Sequence, residues 1–121
     1  RDDVESRGLG DVYKRQTMDS EKLQEAAFEI ILSSGDARTL VHEGFKSMRE
    51  GNYEEAEVHL NEANDSLVKA HKAQTELLQQ YASGEKIEME IIMVHAQDHL
   101  MTTMTLREVA IEMLSLYRKV S

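Results

Sequence analysis

From residue 21 onward, apolar positions recur at helical spacing in three blocks punctuated by glycine. In the first, Leu23, Ala26, Ala27, Ile30 and Ile31 share one face, and Leu40, Val41, Phe45 and Met48 continue it beyond Ser33-Ser34-Gly35-Asp36. That polar interruption predicts either one helix kinked near Gly35 or two helices, the second capped by Asp36. Gly51-Asn52 ends the block as a left-handed C-terminal cap would. The second block is more regular. Tyr53, Ala56, Leu60, Ala63, Leu67, Ala70, Gln74, Leu77 and Tyr81 advance by alternating steps of three and four. This heptad seam, with Gln74 as its polar exception, predicts left-handed coiled-coil-like packing. At ~1.5 Å per residue the helix is roughly 45 Å long, and Ala82-Ser83-Gly84 closes it. A third helix is predicted from near Glu85 to about Lys119, with Arg118 and Lys119 at the favourable end of its dipole. Together the blocks predict an all-α, antiparallel three-helix up-down bundle.

The third helix carries more than one seam. Ile87, Ile91, Val94, Asp98, Met101 and Thr105 form one; Ile92, His95, His99, Thr102, Leu106, Val109, Met113 and Leu116 form its neighbour. Met93, Ala96, Leu100 and Ala110 fill a third face. Between Ile91 and Leu106 the only formal charge is Asp98, in a chain that is 31% charged. A helix in an isolated bundle needs one apolar stripe. One that is apolar nearly all round predicts that copies of the chain cover the remainder, in a symmetric helical oligomer.

Composition agrees and narrows the class. A chain of 121 residues makes one domain, and it has no proline to interrupt long helices. Absence of cysteine excludes disulfides and thiolate metal sites, and fits a reducing compartment. A net charge of −9 argues against a nucleic-acid partner. No apolar run reaches the roughly 20 residues that cross a bilayer, and no secretory signal is visible, so a cytoplasmic protein without direct membrane insertion is expected. Residues 1–17 lack helical or strand periodicity, and Asp11-Val12-Tyr13-Lys14-Arg15-Gln16 resembles a translated sequencing adapter. This stretch is expected to be a non-native, disordered extension of a domain spanning 18–121, whose first helix Asp19 or Ser20 would cap.

His95 and His99, four apart, share a helix face, with Asp98 on the next seam. This spacing suits a helical zinc site with Asp98 as a third ligand, although the glutamate of a zinc protease is missing. A di-iron bundle is excluded, because no histidine has a glutamate three residues before it. A third use is phosphoryl transfer: neutral imidazole is a competent nucleophile, and His99 with the Thr102 or Thr103 hydroxyl could steady the phosphoryl oxygens. The plainer reading is a structural or adaptor bundle. There the two histidines are hydrogen-bonded core residues, the methionines fill space, and Gln74 and Asp98 fix the oligomer's register.

Val94-His95-Ala96-Gln97-Asp98-His99-Leu100-Met101-Thr102 resembles the active-site signature of enzyme IIA of the lactose/cellobiose class, from the bacterial sugar phosphotransferase system. Ser34-Gly35-Asp36-Ala37-Arg38, Gly51-Asn52-Tyr53-Glu54-Glu55-Ala56 and Ala70-His71-Lys72-Ala73-Gln74-Thr75 agree, in the right order. The resemblance implies a homotrimer of nine helices. It implies that the phosphocarrier protein HPr phosphorylates His95 on Nε2 and that the group passes to a cysteine of enzyme IIB. His99 would position it, and Gln97 is a further candidate. Asp98 would lie on the three-fold axis, three copies sharing one divalent metal, magnesium by the preference of oxygen ligands. Ala96 resembles the cellobiose and diacetylchitobiose branch rather than the lactose one. The sugar itself would meet membrane enzyme IIC, not this chain.

Overall fold

A computed structural model of the chain describes the backbone of residues 2–82 and 91–121, with side chains for 21–80 and 91–121. It contains three helices: α1 (Asp2–Arg49), α2 (Tyr53–Ala82) and α3 (Ile91–Val120). No strand occurs among the described residues. The expected start of the third helix near Glu85 and the Ser83-Gly84 closure of the second lie outside them. So do the side chains of Asp19 and Ser20; the α1 backbone is helical from Asp2, through the stretch expected to be disordered.

The first block is one helix. Leu23, Ala27, Ile30, Ser34, Ala37, Val41, Gly44 and Met48 are all buried, in alternating steps of four and three. Of the two expected alternatives, one helix or two, the single helix is realised: the seam runs through Ser33–Asp36 on small residues, and Asp36 is an exposed mid-helix residue, not a cap. Hydroxyls there bond back along the helix: Thr39 Oγ1 donates to the Gly35 carbonyl at 3.1 Å. Gly44 serves close approach to α2. A Cβ at that position would lie 3.2 Å from Leu60 Cδ2.

The α1–α2 corner is built as its residues predict. Gly51 has φ +80°. The Asn52 amide donates to the Ser47 carbonyl at 2.8 Å and the Gly51 amide to Met48 at 3.1 Å, a Schellman cap. Asn52 also starts α2, since its carbonyl accepts from the Ala56 amide at 3.0 Å. Glu54 and Glu55 follow in the first turn, where the helix dipole favours negative charge.

The α2 seam is confirmed from Ala56 through Ala70, with Tyr53, Gln74 and Leu77 half-buried at its ends. Arg107 of α3 donates from Nε to the Leu60 carbonyl at 2.8 Å. Tyr53 and Tyr117 pack with ring centroids 6.0 Å apart, tying the start of α2 to the end of α3.

On α3 the face that meets the other helices is Met93, Ala96, Leu100, Thr103, Ala110 and Leu114. Of the two other seams, the one with His95 and His99 packs in part, through half-buried Ile92 and Leu106, and the one with Asp98 faces outward. Ile91 is 89% exposed, Val94 52% and Met101 52%. No helix among the described residues is long and apolar enough to cross a membrane.

Candidate functional site

The two histidines of α3 stand side by side, one turn apart. Their rings lie 12° from parallel with centroids 6.2 Å apart, as i, i+4 spacing on a helix dictates. His95 is exposed and His99 half-buried. His99 is covered by the middle of α1, at the position where the chain has no side chain: a Cβ on Gly35 would sit 3.9 Å from His99 Nε2.

One turn beyond Gly35, Arg38 reaches across to α3. Its Nε donates to Thr103 Oγ1 at 3.2 Å and its Nη2 to Thr102 Oγ1 at 2.8 Å. The threonines pass their own hydrogens to the backbone. Thr103 donates to the His99 carbonyl at 2.7 Å. Thr102 donates to the Asp98 carbonyl at 2.8 Å, with His99's at 3.2 Å. Each hydroxyl has one hydrogen, so neither has one left for a phosphoryl oxygen. The expected donor role of Thr102 or Thr103 is therefore not available in this arrangement. Arg38 takes its place among the site residues. The stretch Ser34–Arg38 carries part of the family resemblance, but no periodicity gives Arg38 a role, because its contact spans 64 to 65 residues.

Burial first, then the Arg38 guanidinium and then His95, hold the His99 imidazole below its ordinary value of 6.5, against an upward pull from Asp98. His99 is thus biased toward the neutral ring, which keeps one N–H donor and one lone pair.

Asp98 is exposed, on the outward seam with Ile91, Val94 and Met101. Among the described residues no three His, Asp or Glu side chains come together in a way that could hold a metal ion. A zinc site of His95, His99 and Asp98 within one chain is therefore not formed, and Asp98 alone fits a metal only as a fraction of a shared site. Gln97 is half-buried and two residues from His95, which places it on nearly the opposite side of the helix. It does not join the histidine pair of its own chain.

A cleft of about 440 Å³ lies between α2 and α3, lined by Glu57, Leu60, Arg107 and Arg118 among others. It shares no residue with the histidine pair.

The family model described as "PTS system, Lactose/Cellobiose specific IIA subunit" matches residues 25–118. The chain belongs to this IIA family. It is 44% identical over 102 residues to the lichenan-specific phosphotransferase enzyme IIA component of Bacillus subtilis, covering 84% of this chain and 93% of that one. Among solved structures, that of PtcA from S. mutans is 73% identical with a TM-score of 0.80, covering 81% of this chain and 96% of the other. The IIA(Chitobiose) in the IIA(Chitobiose)–HPr complex of Escherichia coli is 32% identical with a TM-score of 0.69, over 81% and 95% of the two chains. The IIA match spans the Gly35–Arg38 stretch, the histidine pair and nearly all of α3.

Proposed function

We propose that this IIA protein is a phosphocarrier: His95 accepts a phosphoryl group from phospho-HPr and passes it to a cysteine of enzyme IIB. The observation that carries the reading is the exposed His95 ring stacked on His99 within a member of the IIA family. The solved complex of a relative with HPr supports the donor.

In the first step the N–P bond of the donor breaks as the His95 Nε2 lone pair forms a new N–P bond. In the second that bond breaks and an S–P bond forms on the acceptor. Catalysis is mainly in-line positioning with water kept away. His99 stands one turn from His95 to orient the ring or the phosphoryl oxygens. The sugar served is a β-linked disaccharide, the cellobiose or diacetylchitobiose type ahead of lactose, which the names of the lichenan and chitobiose relatives support. Ala96 does not bear on this choice, since it is fully buried in the core.

The working form is a homotrimer in which the outward seam of α3 lines the three-fold axis, supported by the exposure of Ile91, Val94 and Met101. Three Asp98 carboxylates crowded there repel unless a cation or protons compensate, and oxygen ligands select a hard ion such as magnesium. The ion would neutralise the axis; it takes no part in the transfer. Residues 1–17 lie outside the functional domain, so a chain shortened to 18–121 should label equally well.

Incubation with phosphorylated HPr should add a phosphate-sized mass, and His95→Ala should abolish the gain. Full labelling of that variant would end the assignment. Asp98→Leu should keep or strengthen the trimer while removing the metal, because apolar packing replaces repelling carboxylates. Dissociation to monomers would show instead that the metal bridge holds the subunits together.

A further inference from the structure

We infer that Arg38 is a positioning residue of the transfer site: braced on Thr102 and Thr103, its guanidinium holds the turn bearing His99 beside His95 and directs a fixed positive charge toward the phosphoryl group. The inference rests on the phosphocarrier reading above and adds a residue on another helix to it.

A phosphoryl group on His95 brings negative charge to a protein whose net charge is already −9, and Asp98 lies next to His99 on the same turn. Something on this face must offset that charge. The threonine hydroxyls do not, because their hydrogens are committed to the Asp98 and His99 carbonyls. Arg38 remains. A guanidinium has five N–H donors and stays charged at all accessible pH. Two of its donors are used on Thr103 and Thr102. The others have no hydrogen-bond partner among the described residues.

Geometry then fixes what the arginine steadies. Both threonine hydroxyls accept from Arg38 and donate into the carbonyls of the turn that carries His99. The arginine therefore clamps that turn from the α1 side. Three residues earlier on the same helix, Gly35 leaves space for the His99 ring. Gly35 and Arg38 thus work as one device: the glycine admits the ring and the arginine anchors its turn. The charge is close enough to be felt at His99. No bond forms to Arg38, and it keeps all its protons while the N–P bond on the donor breaks and the His95 Nε2–P bond forms.

Single-turnover labelling from phospho-HPr over a range of donor concentrations tests this with Arg38→Gln, Arg38→Lys and Thr102→Val. Arg38→Gln should lower the limiting rate by about tenfold or more, since small misplacements near a reacting atom are costly. Its half-saturating donor concentration should stay within about twofold, because Arg38 acts on the bound phosphoryl group. Arg38→Lys keeps the charge without the fork and should recover much of the rate. Thr102→Val, an exposed position that removes one brace, should fall between. A limiting rate for Arg38→Gln within about twofold of the parent would overturn the inference. So would equal losses in Lys and Gln variants accompanied by equal drops in melting temperature, which would mark Arg38 as a structural residue only. If the unaltered protein takes no label from a donor that phosphorylates an authentic IIA protein, the phocarrier reading itself fails, and the two failures are told apart.

Discussion

Position 35 separates stability from function. Gly35 lies in the middle of α1, where glycine is less favourable than alanine by about 0.8–1.0 kcal/mol. A Cβ added there meets His99 Nε2 at 3.9 Å and no other atom within 4 Å, an ordinary van der Waals contact. Gly35→Ala should therefore stabilise the protein by about 1 kcal/mol. For a domain of this size that is a rise of about 4 °C in melting temperature, measured at fixed protein concentration because assembly contributes. Gly35→Leu differs. Its extra carbons start from the same 3.9 Å clearance, and helical side chains lean over the preceding turn, so the His99 ring must move. A displacement of about 1 Å near the chemistry can slow a reaction by about a hundredfold. Thermal unfolding and labelling by phospho-HPr read the two effects separately. A lower melting temperature for Gly35→Ala, or parent-like labelling of Gly35→Leu, would refute the reasoning.

Three further outcomes follow from single residues. Ser34 Oγ is buried and makes no hydrogen bond among the described residues, so Ser34→Ala should stabilise by about 1 kcal/mol; destabilisation in urea titration would mean the hydroxyl has a partner. Gly51→Ala should destabilise by about 1 kcal/mol, because φ +80° strains any residue with a Cβ, and an unchanged urea midpoint would contradict the cap assignment. The depressed His99 value has a pH consequence. Between that lowered value and 6.5 the unfolded chain binds more protons than the folded one, so stability rises with pH across this window. The contribution is fully present above 6.5 and is lost as pH falls through the folded value. His99→Gln should flatten this part of the pH–stability curve, and an unaltered slope would rule the group out.

How much of this was legible in the sequence depends on how local the cause was. The Gly51-Asn52 corner and the α2 seam were readable because hydrogen bonds between residues three to five apart and a strict heptad repeat decide them. The pairing of His95 with His99 followed from helix geometry alone. The choice between one helix and two at Ser33–Asp36 was left open by the sequence, and the structure has one. Serine and glycine count as helix breakers by propensity, but packing decides: small residues are what the α1 seam needs at Ser34, Ala37 and Gly44. Arg38 was invisible as a site residue for the opposite reason. Its contacts lie on a helix more than sixty residues away, and only the relative placement of α1 and α3 joins them. The donor role first given to the threonines shows the same limit: spacing puts a hydroxyl on the right face without saying where its hydrogen goes.

The order of side chains around α3 explains why one chain looks unfinished. At about 100° per residue, Asp98 stands about 60° from His95 on one side and His99 about 40° on the other. The His99 side is closed by α1 at Gly35. The Asp98 side carries exposed Ile91, Val94 and Met101 among the described residues. In the proposed trimer, packing of that seam on its copies would raise an apolar wall along the open flank of His95. The same contact that buries Asp98 would then exclude water from the phosphohistidine and leave one sector free for HPr or enzyme IIB. Gln97, remote from His95 in its own chain, could approach a site only from a neighbouring copy. In that trimer, assembly and transfer would be coupled through this one wall. Loss of the proposed trimer should therefore shorten the life of a phosphorylated form more than it slows its formation, because His95, His99 and Arg38 all come from a single chain.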